Sequence, residues 1–310
     1  MTFFEVPKNQ FTIHNSQFTI SNLMASRSVG EEYWLALAHA PGVGQIDFVR
    51  LLNHFGSPRN VFEAGRWEWR ALRCKKDLLN YLQNPNWQAV ENDMRWLAEK
   101  GNHLLTLHHP GYPPRLREIY DAPLLLFIQG DVTLLKSFQL AIVGTRHPSR
   151  EGKRTAQAFA KSLSLRGFTI TSGLAYGIEG ASHWGALMGG GKTIAVAAWG
   201  LDLIYPPKHR ELTHLIVQTG ALVSEFPLGT PVRRNHFWRR SRIVSGLSLG
   251  TLIIEAPQHS NALHTVYFAA EQGREVFAIP GSIHNPLVKG CHRLIKEGAK
   301  LVETVDDVLE

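Results

Sequence analysis

The chain has 310 residues, 44% of them hydrophobic, with 33 Lys and Arg against 26 Asp and Glu, a formal charge of +7 and an isoelectric point near 9.5. That length and apolar content suit one large domain plus a smaller one and exclude a disulfide-stapled miniprotein, while the charge favours an anionic partner without naming it. Cys74 and Cys291 stand far apart in no CxxC spacing and the 15 histidines form no HExxH pair, so no metal and no cofactor is expected.

No apolar run approaches the roughly 20 residues of a membrane helix, and the start Met1-Thr2-Phe3-Phe4-Glu5 lacks a secretory pattern, so the expected location is cytoplasmic with no membrane contact. Residues 1–30 contain a short repeat, Gln10-Phe11-Thr12-Ile13-His14-Asn15 followed by Gln17-Phe18-Thr19-Ile20-Ser21-Asn22. Two copies cannot build a solenoid, and the segment reads as a disordered or untranslated extension. Over 31–102 the apolar residues recur at helical spacing (Trp34, Leu35, Leu37, Ala38; Phe48, Leu51, Leu52, Phe55; Trp96, Leu97), which predicts a small all-helical domain. Between its first two helices, Pro41-Gly42-Val43-Gly44 fits the turn of a helix-hairpin-helix unit, whose amides can meet a DNA phosphate, and equally fits a plain helix-to-helix turn.

After Tyr112-Pro113-Pro114 short β-rich runs take over, at 124–128, 140–143, 168–171, 193–198, 221–224, 251–255 and 275–279, separated by helix-length stretches such as 149–166 and 261–272. Alternation of this kind predicts an α/β fold, an extended Rossmann-like, doubly wound and mostly parallel sheet over 103–310. In such sheets ligands bind beyond the carboxyl ends of the strands. Two phosphate-friendly turns fall there: Val143-Gly144-Thr145-Arg146 and Ser172-Gly173-Leu174-Ala175-Tyr176-Gly177. In the first, backbone amides and the Thr145 hydroxyl are expected to donate to phosphate and Arg146 to supply charge; the glycines also fit tight strand-to-helix turns.

Three enzyme motifs fail on context. Gly190-Gly191-Lys192-Thr193 resembles the end of a P-loop, yet residue 186 is Ala186 and the order is helix then strand. Gly246-Leu247-Ser248-Leu249-Gly250 spells GxSxG with its strand after the serine instead of before it, and Gly173 to Gly180 do not spell GxGxxG. Asp202, Glu225 and Glu255 lie near strand ends in no acid-base spacing and read as caps or arginine partners.

The strongest local signal is Arg233-Arg234-Asn235-His236-Phe237-Trp238-Arg239-Arg240-Ser241-Arg242, five arginines in ten residues, with no Asp or Glu between Glu225 and Glu255. Guanidinium forks suit phosphate oxygens and exposed aromatic faces suit bases, so the segment reads as a contact for single-stranded nucleic acid, or as a solvated basic loop. Trp34, Trp96 and Trp184 lie in helical apolar stripes and are expected in the core; Trp238 is the tryptophan expected to stack on a base.

Read together, Ala141-Ile142-Val143-Gly144-Thr145-Arg146, Ser172-Gly173-Leu174-Ala175-Tyr176-Gly177-Ile178, Gly200-Leu201-Asp202-Leu203-Ile204-Tyr205-Pro206, Ser224-Glu225-Phe226-Pro227, Arg242-Ile243-Val244-Ser245-Gly246-Leu247-Ser248 and Ile279-Pro280-Gly281 closely resemble the DNA-processing protein A (DprA, or Smf) family of bacterial transformation. The resemblance spans about residues 31–310 and implies a sterile-alpha-motif-like domain before the Rossmann-like one. It implies a non-enzymatic, homodimeric protein that binds and protects single-stranded DNA and helps load the RecA recombinase. It further implies a DNA pocket lined by Gly144, Thr145, Arg146, Ser172, Gly173 and the loop from Arg233 to Arg242 (Arg233, Arg234, Phe237, Trp238, Arg239, Arg240, Arg242), with Ser260 and Thr265 on another side.

The chain departs from the family pattern at Trp238 and Ser241, where proline and asparagine are usual, and at Asn261 and Ala262. Many members carry a carboxyl-terminal winged helix, and this sequence stops at Glu310. Two other readings are a nucleotide enzyme of the lysine-decarboxylase-like group, faintly echoed by Gly250-Thr251 with Glu255, and a recombinase adaptor with weakened DNA binding.

Overall fold

The computed structural model describes residues 30–310; the short repeat lies outside the described residues. The chain first forms a cluster of helices: α1 (Glu31–Ala38), α2 (Gln45–Phe55), α3 (Pro58–Glu63), α4 (Arg66–Ala71), α5 (Lys76–Gln83) and α6 (Trp87–Ala98). The spacing of Leu37, Phe48, Leu51, Val61, Trp69, Leu78 and Leu82 sends them to one shared interior. Gly42 takes a φ of 67° in the turn between α1 and α2, a conformation that glycine adopts without strain.

Nine strands follow among the described residues: β1 (Asn102–Thr106), β2 (Leu125–Gly130), β3 (Gln139–Gly144), β4 (Thr169–Gly173), β5 (Thr193–Val196), β6 (Ala221–Ser224), β7 (Gly250–Ile254), β8 (Glu275–Ala278) and β9 (Lys300–Leu301). They make one sheet in the order β1-β2-β6-β5-β4-β3-β7-β8-β9, with β3 to β9 parallel and β1 and β2 antiparallel at one edge. The α/β doubly wound expectation therefore holds. The two-residue β9 is too short for a period to show, and β1 escapes the pattern because its Asn102-His103-Leu104-Leu105-Thr106 is no continuous apolar run and directly follows the helical stretch.

Helices α7 (Pro114–Arg117), α8 (Arg150–Leu165), α9 (Ile178–Met188), α10 (Arg210–Thr219), α11 (Arg234–Leu247), α12 (Leu263–Glu271), α13 (Lys289–Lys296) and α14 (Asp306–Leu309) complete the fold. Strand alternation divides the core. In β3, Leu140 and Ile142 face α8 and α9, packing on Phe159, Ala160 and Ile178, while Ala141 and Val143 face Ile243, Val244 and Val266 of α11 and α12. The helical cluster joins the same body: Trp96 of α6 meets Phe127 of β2 at 6.3 Å, and buried Asp93 accepts from His39 Nε2 (2.7 Å) and from the Leu228 amide (3.2 Å).

One sequence expectation is corrected here. The arginine-rich segment is not a loop but the start of the fourteen-residue helix α11. His236, Arg240, Ile243, Val244 and Leu247 recur at helical spacing and are all buried, yet two of the five are polar, so an apolar count passes over the first half of the stripe.

Candidate functional site

The strand order reverses between β3 and β7, and an open sheet of this kind offers its ligand crevice at that switch point, outside the carboxyl ends. Here an internal carboxylate fills it. Glu255 follows β7 at a φ of 48°, a left-handed conformation that costs a non-glycine residue about 1–3 kcal/mol. Its carbonyl accepts from the Thr145 amide (2.7 Å) and its carboxylate from the Ser149 amide (2.8 Å) and Ser149 Oγ (2.5 Å). Ser149 is the N-cap of α8, accepting from the Gly152 amide at 2.9 Å, and a Cβ on Gly152 would overlap the Glu255 carboxylate. The chain thus places its own anion where the helix dipole would hold a phosphate.

The expected phosphate cradle is corrected accordingly. The Thr145 amide is spent on Glu255, and Thr145 Oγ1 accepts from the His147 amide at 3.2 Å. Gly144 is a packing glycine, since a Cβ there would run into the Ile254 carbonyl and the Ile178 side chain. In the second turn Ser172 is buried and donates its hydroxyl to the Ile142 carbonyl at 2.6 Å, while the Ala175 amide donates to Glu179 Oε2 at 2.8 Å. Gly173 leaves the space taken by the Arg240 guanidinium.

The five arginines divide into two groups. Arg240 is 5% exposed and pairs with buried Glu179 at 3.3 Å. Arg242 is 3% exposed and reaches Glu225 at 2.6 Å and Asp121 at 2.9 Å; Glu225 also accepts from Arg239 at 3.0 Å. Each carboxylate comes from another element, so these charges are neutralised inside the protein. Arg233 and Arg234, at the amino end of α11, are exposed, as is Arg146 at the end of β3, and among the described residues none of the three forms an ion pair.

Arg146 borders an aromatic shelf. Phe237 lies 6.1 Å from Trp199 and 6.4 Å from Tyr205, Trp199 and Tyr205 are 5.1 Å apart, and the Arg146 guanidinium stands 5.2 Å over the Phe237 ring. Trp199 is buried and braced by its Nε1 donating to the Leu203 carbonyl at 3.1 Å, which leaves the Tyr205 and Phe237 faces as the accessible part. Tyr176, after β4, stands edge-on to His209 at 5.0 Å. Burial lowers the His209 pKa, and Lys153 on α8 adds to the effect. Trp238 is 51% exposed and turns away toward Phe268 of α12 at 5.2 Å. Unpaired cations beside ring faces can hold phosphates and stack bases along one strand.

Ser260 and Thr265 lie elsewhere: Ser260 Oγ accepts from the Ala262 amide at 3.3 Å, and Thr265 is buried in the first turn of α12. Tyr205 belongs to the shelf but was legible only as part of a longer motif, because a lone tyrosine in a strand-end loop has no spacing to mark it. Behind the shelf His183 is fully buried, its ring nitrogens against the Gly173 carbonyl (2.7 Å) and Thr193 Oγ1 (2.6 Å), and desolvation pulls its pKa down to about 4.

Residues 103–310 match the family model of DNA recombination-mediator protein A. Protein Smf of Escherichia coli strain K12 is 42% identical over 283 residues, covering 91% of this chain and 75% of that protein. The DNA processing protein DprA of Bacillus subtilis strain 168 is 41% identical over 68% of this chain and 72% of its own length. Among solved structures, DNA processing protein A of Streptococcus pneumoniae superposes with a TM-score of 0.78 at 34% identity, covering 90% of this chain and 96% of that one. DNA processing protein A of Helicobacter pylori, described for its single-stranded DNA binding mode, gives 0.61 at 26% identity over 67% of this chain and 94% of that one.

Proposed function

Since this chain belongs to the DNA recombination-mediator protein A family, we propose that it binds single-stranded DNA on the Arg146–Phe237–Tyr205 shelf and acts as a non-enzymatic mediator that passes the strand to a RecA recombinase. The observation that carries the reading is the Arg146 guanidinium held 5.2 Å over Phe237, on a helix whose amino end also exposes Arg233 and Arg234, a combination that offers phosphate and base contacts together. Arg146, Arg233, Arg234 and Phe237 touch the strand; Arg239 is held by Glu225 and stays partly available; Arg240 and Arg242 shape the wall through Glu179 and Glu225. Gly144, Thr145, Ser172 and Gly173 serve the packing and hydrogen bonding of the strand ends in this reading and do not touch the DNA strand.

A nucleotide-cleaving reading loses its main support because the Glu255 carboxylate occupies the phosphate position at the start of α8. The recombinase partner and a homodimeric state rest on family membership. The test is a titration of labelled oligothymidylate against rising salt. Binding should weaken with a slope of about 0.7 per phosphate contacted, duplex of the same length should compete poorly, and Arg146→Ala should weaken binding on every sequence. Salt-independent binding, or release of free base from a nucleoside monophosphate, would defeat the proposal. Co-sedimentation with RecA filaments and analytical ultracentrifugation examine the partner and the dimer separately.

A further inference from the structure

Outside the sheet, the helical cluster carries a second basic and aromatic face. Helix α4 and the turn after it read Arg66-Trp67-Glu68-Trp69-Arg70-Ala71-Leu72-Arg73-Cys74-Lys75-Lys76. Trp69 is buried with its Nε1 donating to the Val61 carbonyl at 2.8 Å, and Cys74 is buried in the same interior. These two anchors turn Arg66, Trp67, Arg70, Arg73, Lys75 and Lys76 to solvent. Nearby acids are engaged: Glu68 accepts from the Gly65 amide at 2.7 Å, Asp47 holds Arg50 at 3.0 Å and Glu63 holds Arg59 at 2.7 Å. Glu68 and, one residue beyond the stretch, Asp77 are exposed acids, yet among the described residues none of the five cations forms an ion pair.

Two features set this face apart from an ordinary solvated surface. Trp67 is 80% exposed, and the Arg70 guanidinium stands 5.6 Å from its ring centroid, so a large aromatic face is presented and steadied instead of buried. Arg73 has a φ of 54° in the closing turn of α4, where its amide donates to the Arg70 carbonyl (2.9 Å) and the Cys74 amide to the Trp69 carbonyl (3.3 Å). Such a turn ordinarily takes glycine at that position, and a cation kept there at the expense of backbone strain points to a use for the charge. A lipid surface needs a broader apolar face than this six-residue helix with one exposed indole provides.

We propose that the Arg66–Lys76 face is a second contact for single-stranded DNA, taking phosphates on its free cations and a base on Trp67. It rests on the reading of the sheet-edge shelf in that both hold the same polymer. With the full chain, labelled oligothymidylates of about 6 and about 40 nucleotides separate one contact from two. Trp67→Ala should weaken the long strand about tenfold and leave the short one, held by the shelf, unchanged. Arg66→Ala/Lys75→Ala/Lys76→Ala should lower the salt slope for the long strand by about 2. Arg73→Gly should raise Tm by about 2 °C yet weaken the long strand, a pairing of signs that loss of folding cannot produce.

If these variants bind both lengths as the parent does while Arg146→Ala weakens both, the second contact is wrong and the shelf stands. If Arg146→Ala changes neither length while Trp67→Ala weakens the long strand, the face stands and the shelf fails. Equal losses on duplex of the same length would overturn the single-strand assignment. Loss of binding to phosphatidylglycerol vesicles with DNA binding intact would overturn it in favour of a membrane surface.

Discussion

The two halves of α11 carry the same residue type for opposite purposes. At its amino end Arg233 and Arg234 face solvent without ion partners among the described residues; in its middle Arg240 and Arg242 are buried against Glu179, Glu225 and Asp121. A charge in solvent is free to meet a phosphate at modest desolvation cost, whereas a buried guanidinium is a structural member whose removal strands its carboxylate. A basic cluster is therefore not a uniform binding patch, and its members should separate in experiment.

The largest expected effect lies in the buried half. Arg240→Ala leaves Glu179 unpaired inside the protein and should cost about 3–5 kcal/mol in urea denaturation. A loss under 1 kcal/mol, with DNA binding reduced instead, would place Arg240 among the ligand contacts and erase the distinction. The next effect comes with pH behind the same wall. His183 is held neutral with its pKa near 4, below the ordinary value of 6.5, so the unfolded chain takes up a proton first. Stability is then fully present above about pH 6.5 and declines as pH falls toward 4, by up to about 3 kcal/mol. The lowered pKa values of half-buried His209 and buried His236 act in the same direction. His183→Gln should flatten that part of the stability–pH curve, and an unchanged curve would remove His183 from the account.

On the exposed side, Phe237→Ala should cost about 1–3 kcal/mol in oligothymidylate affinity, by loss of a stacking face and of the platform under Arg146. Trp238→Ala, whose ring turns to Phe268, should cost less; the reverse order would move the strand across to α12. The smallest effect belongs to the free arginines one at a time. Arg233→Ala or Arg234→Ala should lower the salt slope by about 0.7 each and change folding stability by less than about 0.5 kcal/mol. A large stability loss from either would mean that it is paired like the arginines of the helix middle.

The strands from β2 to β8 were legible because each is a short buried apolar run bounded by turns, and the alternation with helices announced a parallel sheet. Helix α11 was not, since its buried stripe includes His236 and Arg240, which count as surface residues until their partners are known. Of the site, charge and aromatic content were visible at once, and the fold brings Arg146 and Phe237 together with Trp199 and Tyr205, while Arg233 and Arg234 stand exposed at the start of the helix that carries Phe237. The phosphate cradle expected at Thr145 was not legible as filled, because the group that fills it comes from the end of another strand.

By itself the sequence determined the layered α/β architecture and the net positive character of this surface, properties that local pattern and composition carry. Tertiary structure alone decided which charges remain to bind anything. Glu179 and Arg240 are separated by 61 residues, Glu225 and Arg242 by 17, and Ser149 and Glu255 by 106. A charge is cancelled by whatever lies within a few ångströms of it in space, and nothing in the local spacing of residues records which distant carboxylate the fold will bring there.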